Sequence, residues 1–165
     1  MYDGAGVDAA SPRARMVAWA KWGIAHHALF DYTEGPLRMS MINLAPGETS
    51  ARIGADCSGF ATGCAKWAGG PDPNGLNFDG EGYTGTMLDA CMHIELDEVR
   101  TGDLVVYGPG TGDHVCIVIA LVRRGGEIVD LRLASHGRQG DPRRVLHSLE
   151  QSFHKPPVTF LSFLP

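Results

Sequence analysis

The stretch DLVVYGPGTGDHVCIVIALVRRGGEIVDLRLAS, residues 103–135, decides the fold. Three apolar runs, Asp103 to Tyr107, His114 to Arg123 and Ile128 to Ser135, are broken by Gly108-Pro109-Gly110-Thr111-Gly112 and by Arg124-Gly125-Gly126-Glu127. Runs of this length between glycine-rich turns read as β-strands joined as hairpins. From Val115 to Ile119 every residue is apolar, which marks a core strand. Val158 to Leu164 is a further strand candidate.

The chain ahead of this stretch is helical. Ser11 is a cap and Pro12 suits a first helical position, so 12–28 reads as an amphipathic helix with Met16, Trp19, Ala20, Gly23 and Ile24 on its apolar side. A second helix is expected from Cys57 to Ala68, stopped by Gly69-Gly70-Pro71, and a short third from Thr86 to Met92. Residues 31–55 lack periodicity and read as an irregular segment. Helices first and an antiparallel meander afterwards give an α+β pattern. Without an internal repeat or a clear linker, 1–165 reads as one domain with a core over about 12–164.

Composition narrows the functions. Of 165 residues 44% are hydrophobic and 20% charged, a globular balance. The net charge is −5, which argues against a phosphate-neutralising surface and so against nucleic acid as partner. Val115 to Val122 is far short of a bilayer span, so no membrane insertion is expected. The N-terminus lacks the charged start and apolar run of a secretory signal, so synthesis in a cytoplasm is expected. The cysteines, Cys57, Cys64, Cys91 and Cys116, form no CxxC pair and no finger-like cluster with histidine, so neither a metal nor another cofactor is expected.

Chemistry concentrates at three places. Asp56-Cys57-Ser58-Gly59-Phe60 puts a cysteine where a loop becomes a helix, and unpaired N–H groups there favour a thiolate, the nucleophilic form. Asp56 is a candidate cap, and Gly59 permits close approach to the backbone. His114 stands at the mouth of the core strand and His136 at the end of the next. With the hairpin turn at 125–126, position 114 falls opposite about 137, so both histidines stand at one end of the sheet. A cysteine, a histidine and a third polar group make an activated nucleophile. The residue types also admit a metal site on Cys57, His114 and His136. His26, His27, His93, His147 and His154 have no spacing that links them to a site and read as core or surface.

Together Asp56-Cys57-Ser58-Gly59-Phe60, Thr101-Gly102-Asp103-Leu104-Val105 and Asp113-His114-Val115-Cys116-Ile117-Val118 resemble the NlpC-type papain-like cysteine peptidases of bacterial cell-wall turnover, over about 12–140. The resemblance implies a papain-like fold with N-terminal helices on an antiparallel sheet, peptide-bond cleavage in peptidoglycan stem peptides, Cys57 as nucleophile, His114 as base and His136 as the orienting residue. Asp113 is the rival orienter, though as a strand neighbour of His114 it should point to the other face. Tyr32, Asp56, Ser58, Asp113 and Arg138 are the candidate substrate contacts. The acidic stretch 72–98 is a candidate for meeting a substrate ammonium, and Arg138 a carboxylate. The Tyr-x-Trp-Gly-Gly that precedes the cysteine in the family is absent, and Tyr32, 25 residues ahead, is the candidate for its tyrosine. Tyr32-Thr33-Glu34-Gly35-Pro36, Pro71-Asp72-Pro73-Asn74-Gly75 and Gly82-Tyr83-Thr84-Gly85-Thr86 resemble the peptidase domains of endolysins from actinobacterial phages. That implies a monomeric enzyme that reaches the wall through holin pores and acts in host lysis. The alternatives are a CHAP-type amidase or endopeptidase and a non-catalytic wall-binding relative.

Overall fold

Ser11 accepts a hydrogen bond from the Ala14 N–H at 3.1 Å and opens helix α1, Pro12–Ala25. The computed structural model describes residues 11–138, 140–148 and 154–165. Helix α1 ends three residues earlier than its apolar spacing suggests. The His26 N–H makes the closing bond to Trp22, and a short 3₁₀ turn over His27–Leu29 then buries Phe30. Inside the segment expected to be irregular lie two short strands, β1 (Phe30–Tyr32) and β2 (Ile53–Ala55), paired in parallel with Tyr32 opposite Ala55. Three residues are too few for an alternation that a sequence reader can see.

Helix α2, Cys57–Trp67, packs against α1 and β5 (His114–Arg124). Its packing relies on bare Cα atoms. A Cβ on Gly23 of α1 would stand 2.5 Å from the Phe60 ring, and one on Gly63 of α2 2.3 Å from the Met41 sulfur. Trp19, Trp22 and Trp67 meet edge to face, with centroids 5.0–5.8 Å apart, and close the core between the helices. A third helix, α3, covers Thr84–Ala90 and leads directly into β3, Met92–Ile94.

The remaining strands are β4 (Leu104–Tyr107), β6 (Glu127–Ser135), β7 (Arg143–Ser148) and β8 (Val158–Ser162). The main sheet runs β3-β8-β4-β5-β6-β7. The expected meander is present as β4 to β7, and β8 returns to the far side of β4. Strand β7 was not foreseen, because Arg143-Arg144-Val145-Leu146-His147 offers little apolar signal.

Both faces of the sheet are buried. Leu104, Val106, Val115, Ile117 and Ala134 join the helices in one core, while Val105, Tyr107, Cys116, Val118, Leu131 and Leu133 form a second on the opposite face. That explains the unbroken apolar run at 115–119: a strand buried on both sides does not alternate. The Tyr107 hydroxyl and His147 Nδ1, on strands that are not neighbours, come within 2.6 Å, so the sheet curls over its second core. Among the described residues no helix is long and apolar enough to cross a membrane.

Candidate active site

Cys57 is the first residue of α2, and Asp56 caps it, accepting from the Gly59 N–H at 2.6 Å and the Ser58 hydroxyl at 2.8 Å. Asp56 and Ser58, expected at the substrate, thus serve the helix start, and both also line the cleft beside Cys57. Gly59 does admit a close neighbour: a Cβ there would lie 1.9 Å from the Arg38 carbonyl oxygen. Arg38 stands 3.5 Å from the second Asp56 oxygen and donates to the Gly82 carbonyl at 2.6 Å. One guanidinium therefore ties the loop at 80–82 to the helix start.

The backbone N–H groups of Val115, Ser58 and Cys57 itself favour the Cys57 thiolate. Burial acts the other way and wins, with a smaller contribution from the Asp56 carboxylate, so the thiol is pushed up to about 11. The helix-start effect is present, but the resting group is a thiol.

His114 opens β5 and is buried. Its Nε2 lies 2.8 Å from the Ser135 hydroxyl, at the end of β6. Burial first, then the neighbouring imidazoles of His154 and His136, push it down to about 4. Its neighbour along the strand, Val115, is the residue whose N–H favours the Cys57 thiolate. A cleft of about 800 Å³ is lined by His114, Ser135, Arg138 and His154 among others, and a second pocket by Cys57, Ser58, Arg38 and Tyr83. Tyr32, Glu34 and Asp113 line both. The two compartments thus share a wall, with the thiol on one side and the imidazole on the other.

His136 does not orient His114 through a hydrogen bond, contrary to expectation. Its Nε2 is 3.0 Å from the Ala55 carbonyl, and its ring is enclosed by Phe30, Tyr32 and Phe60 at 5.4–5.8 Å. The reason is strand parity. Cys116 pairs with Ser135, so Ser135 shares the face of His114, and His136 faces the helices with Val115. His136 is fully buried and joins the end of β6 to β2, two residues ahead of Cys57. With His136 committed there, a metal site shared by Cys57, His114 and His136 is not supported.

The remaining candidates are spread around the cleft. The Tyr32 hydroxyl donates to Glu34 at 3.0 Å, and burial followed by that carboxylate raises its pKa. Asp113 is exposed on the shared wall, and Arg138 reaches Glu34 at 3.5 Å while largely exposed. None of the acids in 72–98 lines either compartment. Asp72 is instead spent within its own loop, accepting from the Asn74, Leu76 and Phe78 N–H groups. Sequence reasoning missed Ser135, Glu34 and Arg38. It also missed that His154 comes to lie beside His114, and His147 beside Tyr107.

No family model matches the chain. It is 31% identical over 67 residues to the peptidoglycan endopeptidase RipB of Mycobacterium tuberculosis, a match of 41% of this chain and 24% of RipB. The chain thus aligns with about a quarter of the length of the curated relatives it matches. The solved peptidoglycan hydrolase RipB superposes with a TM-score of 0.50 and 20% identity, covering 98% of this chain and 71% of that one. RipD from M. tuberculosis, described as a non-catalytic NlpC/p60 domain protein adapted to peptidoglycan binding, superposes with a TM-score of 0.53 and 14% identity, over 93% and 98%. The fold is that of the NlpC/p60 domain. A RipA structure, of the resuscitation promoting factor interacting protein, aligns with a TM-score of 0.56 and 17% identity, over 93% and 62%. The papain-like, NlpC-type architecture expected from the motifs is therefore the architecture found. At these identities the likeness establishes the NlpC/p60 fold and no more.

Proposed function

We propose that this NlpC/p60 protein is a cysteine peptidase that cuts stem-peptide bonds of bacterial peptidoglycan, with Cys57 as nucleophile and His114 as base. The observation that carries the reading is that the cleft lined by Cys57 and the cleft lined by His114 share Tyr32, Glu34 and Asp113. The thiol stands at a helix start capped by Asp56, and the imidazole is held at Nε2 by the Ser135 hydroxyl. The partial match to RipB supports peptidoglycan as the substrate class.

The chemistry follows from the resting protonation. With the thiol high and the imidazole low, the two start neutral, so proton and bond move together. As the sulfur attacks a stem-peptide carbonyl carbon, its proton passes to His114 Nδ1, because Nε2 is engaged by Ser135. The oxyanion is met by the backbone N–H at the helix start. The imidazolium then gives its proton to the leaving amine as the C–N bond breaks, leaving a thioester on Cys57. Water, deprotonated by His114, attacks the thioester, and the proton returns to the departing sulfur. Ser135 holds the ring as the third member, and His136 supports the scaffold.

We further propose the setting of a phage endolysin acting on the host wall. The support for it is the likeness of the stretches at 32–36, 71–75 and 82–86 to actinobacteriophage lysins. A second reading, a wall-binding domain without catalysis, draws on the buried neutral thiol and on the RipD fold likeness. Mass spectrometry of soluble fragments from purified peptidoglycan separates the two. The peptidase reading predicts fragments with new amino termini from wild type and none from Cys57→Ala. Retention on the wall without fragments, across several wall chemotypes, supports the binding reading instead.

A further inference from the structure

The rings of His154 and His114 lie face to face, with centroids 4.9 Å apart and planes 12° from parallel. His154 belongs to the segment entering β8, where Val158 pairs with Tyr107, and its ring also meets Tyr107 at 5.8 Å. It lines the same cleft as His114. The imidazole of His114 is thus contacted on its edge by Ser135 and on its face by His154. The hydrogen bond with Ser135 acts at one nitrogen, and the stacked ring acts on the plane of the imidazole. Orientation of this kind is a large part of what a catalytic base requires.

We propose that His154 is a positioning residue for His114: it holds the plane of the imidazole by stacking and, through its own charge, sets how readily that imidazole takes the thiol proton. The proposal rests on the reading of Cys57 and His114 as a proton-exchanging pair and deepens it. Two imidazoles at this separation repel when both are protonated, and the charge of His154 already disfavours that of His114. In the proposed cycle His114 accepts the Cys57 proton and passes it to the leaving amine, and the stacked ring holds it in place for both transfers.

Other groups face this pair. Tyr107 comes from β4, Cys116 from β5, Ser135 and His136 from β6, and His147 of β7 reaches Tyr107. Glu34, Asp113, Arg138 and Lys155 line the same cleft. Removing His154 alone leaves this background in place.

The test combines an NMR titration of the imidazole resonances with the rate at which iodoacetamide alkylates Cys57, in wild type, His154→Phe and His154→Ala. The expected result is an upward shift of the His114 midpoint by about half a unit or more in both variants. Alkylation slows in His154→Ala and recovers in His154→Phe, whose ring keeps the stack without the charge. An unchanged His114 midpoint in His154→Phe overturns the charge coupling, and equal alkylation rates in all three proteins overturn the positioning role. If the coupling is measured and wild type still releases nothing from peptidoglycan, the cell-wall reading fails while the role of His154 beside His114 stands.

Discussion

His114 and His136 stand at the same end of the sheet, both buried and both held neutral, yet their surroundings differ in kind. His114 meets a hydroxyl, a second imidazole and an open cleft. His136 meets a backbone carbonyl and three aromatic rings, with no exposed surface. One step of strand parity separates the two environments: the side of β6 that carries Ser135 looks into the cleft, and the side that carries His136 looks into the helices. Residue type alone made them equivalent, and register decides which can act on a substrate.

Substitution at the two positions should break that equivalence most visibly. Under the proposed mechanism, in which His114 carries the proton, His114→Ala is expected to reduce peptidoglycan cleavage by about 10³-fold or more with little change in melting temperature. His136→Ala should instead cost about 2–4 kcal/mol of stability, by opening a cavity among the rings and orphaning the Ala55 carbonyl. Kinetics beside thermal melts check the pair; a stable but inactive His136 variant would reverse the assignment. Ser135→Ala sharpens the comparison from the cleft side. Loss of the hydrogen bond to Nε2 should lower kcat by roughly 10–10² with the fold intact.

Acid is expected to act on both histidines with one sign. Each is lowered from its ordinary value of 6.5, His114 to about 4, because burial opposes the charged form. The unfolded chain therefore takes up protons first. The stability His114 contributes is complete above about pH 6.5 and is lost as the pH falls toward about 4, and that of His136 is lost in the same direction. Denaturant midpoints across that range should decline in wild type and decline less in His136→Phe. The smallest effect belongs to the rim. Arg138 and Glu34 form an exposed pair, so Arg138→Ala should shift stability by less than about 0.5 kcal/mol. A change in KM on stem peptides without such a shift would assign Arg138 to substrate.

The large elements were legible because their signals are local. Ser11-Pro12, the glycines at 69–70 and the turns at 108–112 and 125–126 punctuate the chain where the structure also punctuates it. The cleft was less legible. Strands β1 and β2 are too short to alternate, and their pairing brings Tyr32 beside Ala55 across a gap of more than twenty residues. The signal for Ser135 was available: a register that sets 114 opposite 137 already puts 135, and not 136, on the face of His114. Burial of the thiol was not legible, because the balance between helix-start N–H groups and desolvation depends on what packs over residue 57. The arrival of His154 beside His114 depends on β8 returning to β4, a long-range pairing that no local pattern announces.

Covalent catalysis through Cys57 is the claim on which the rest depends, and the intact mass of the protein, acid-quenched during turnover of a stem peptide, tests it most directly. The account predicts an added acyl fragment on Cys57 in wild type, lost in Cys57→Ala together with all cleavage. Released fragments with no adduct, undiminished in Cys57→Ala, would contradict it.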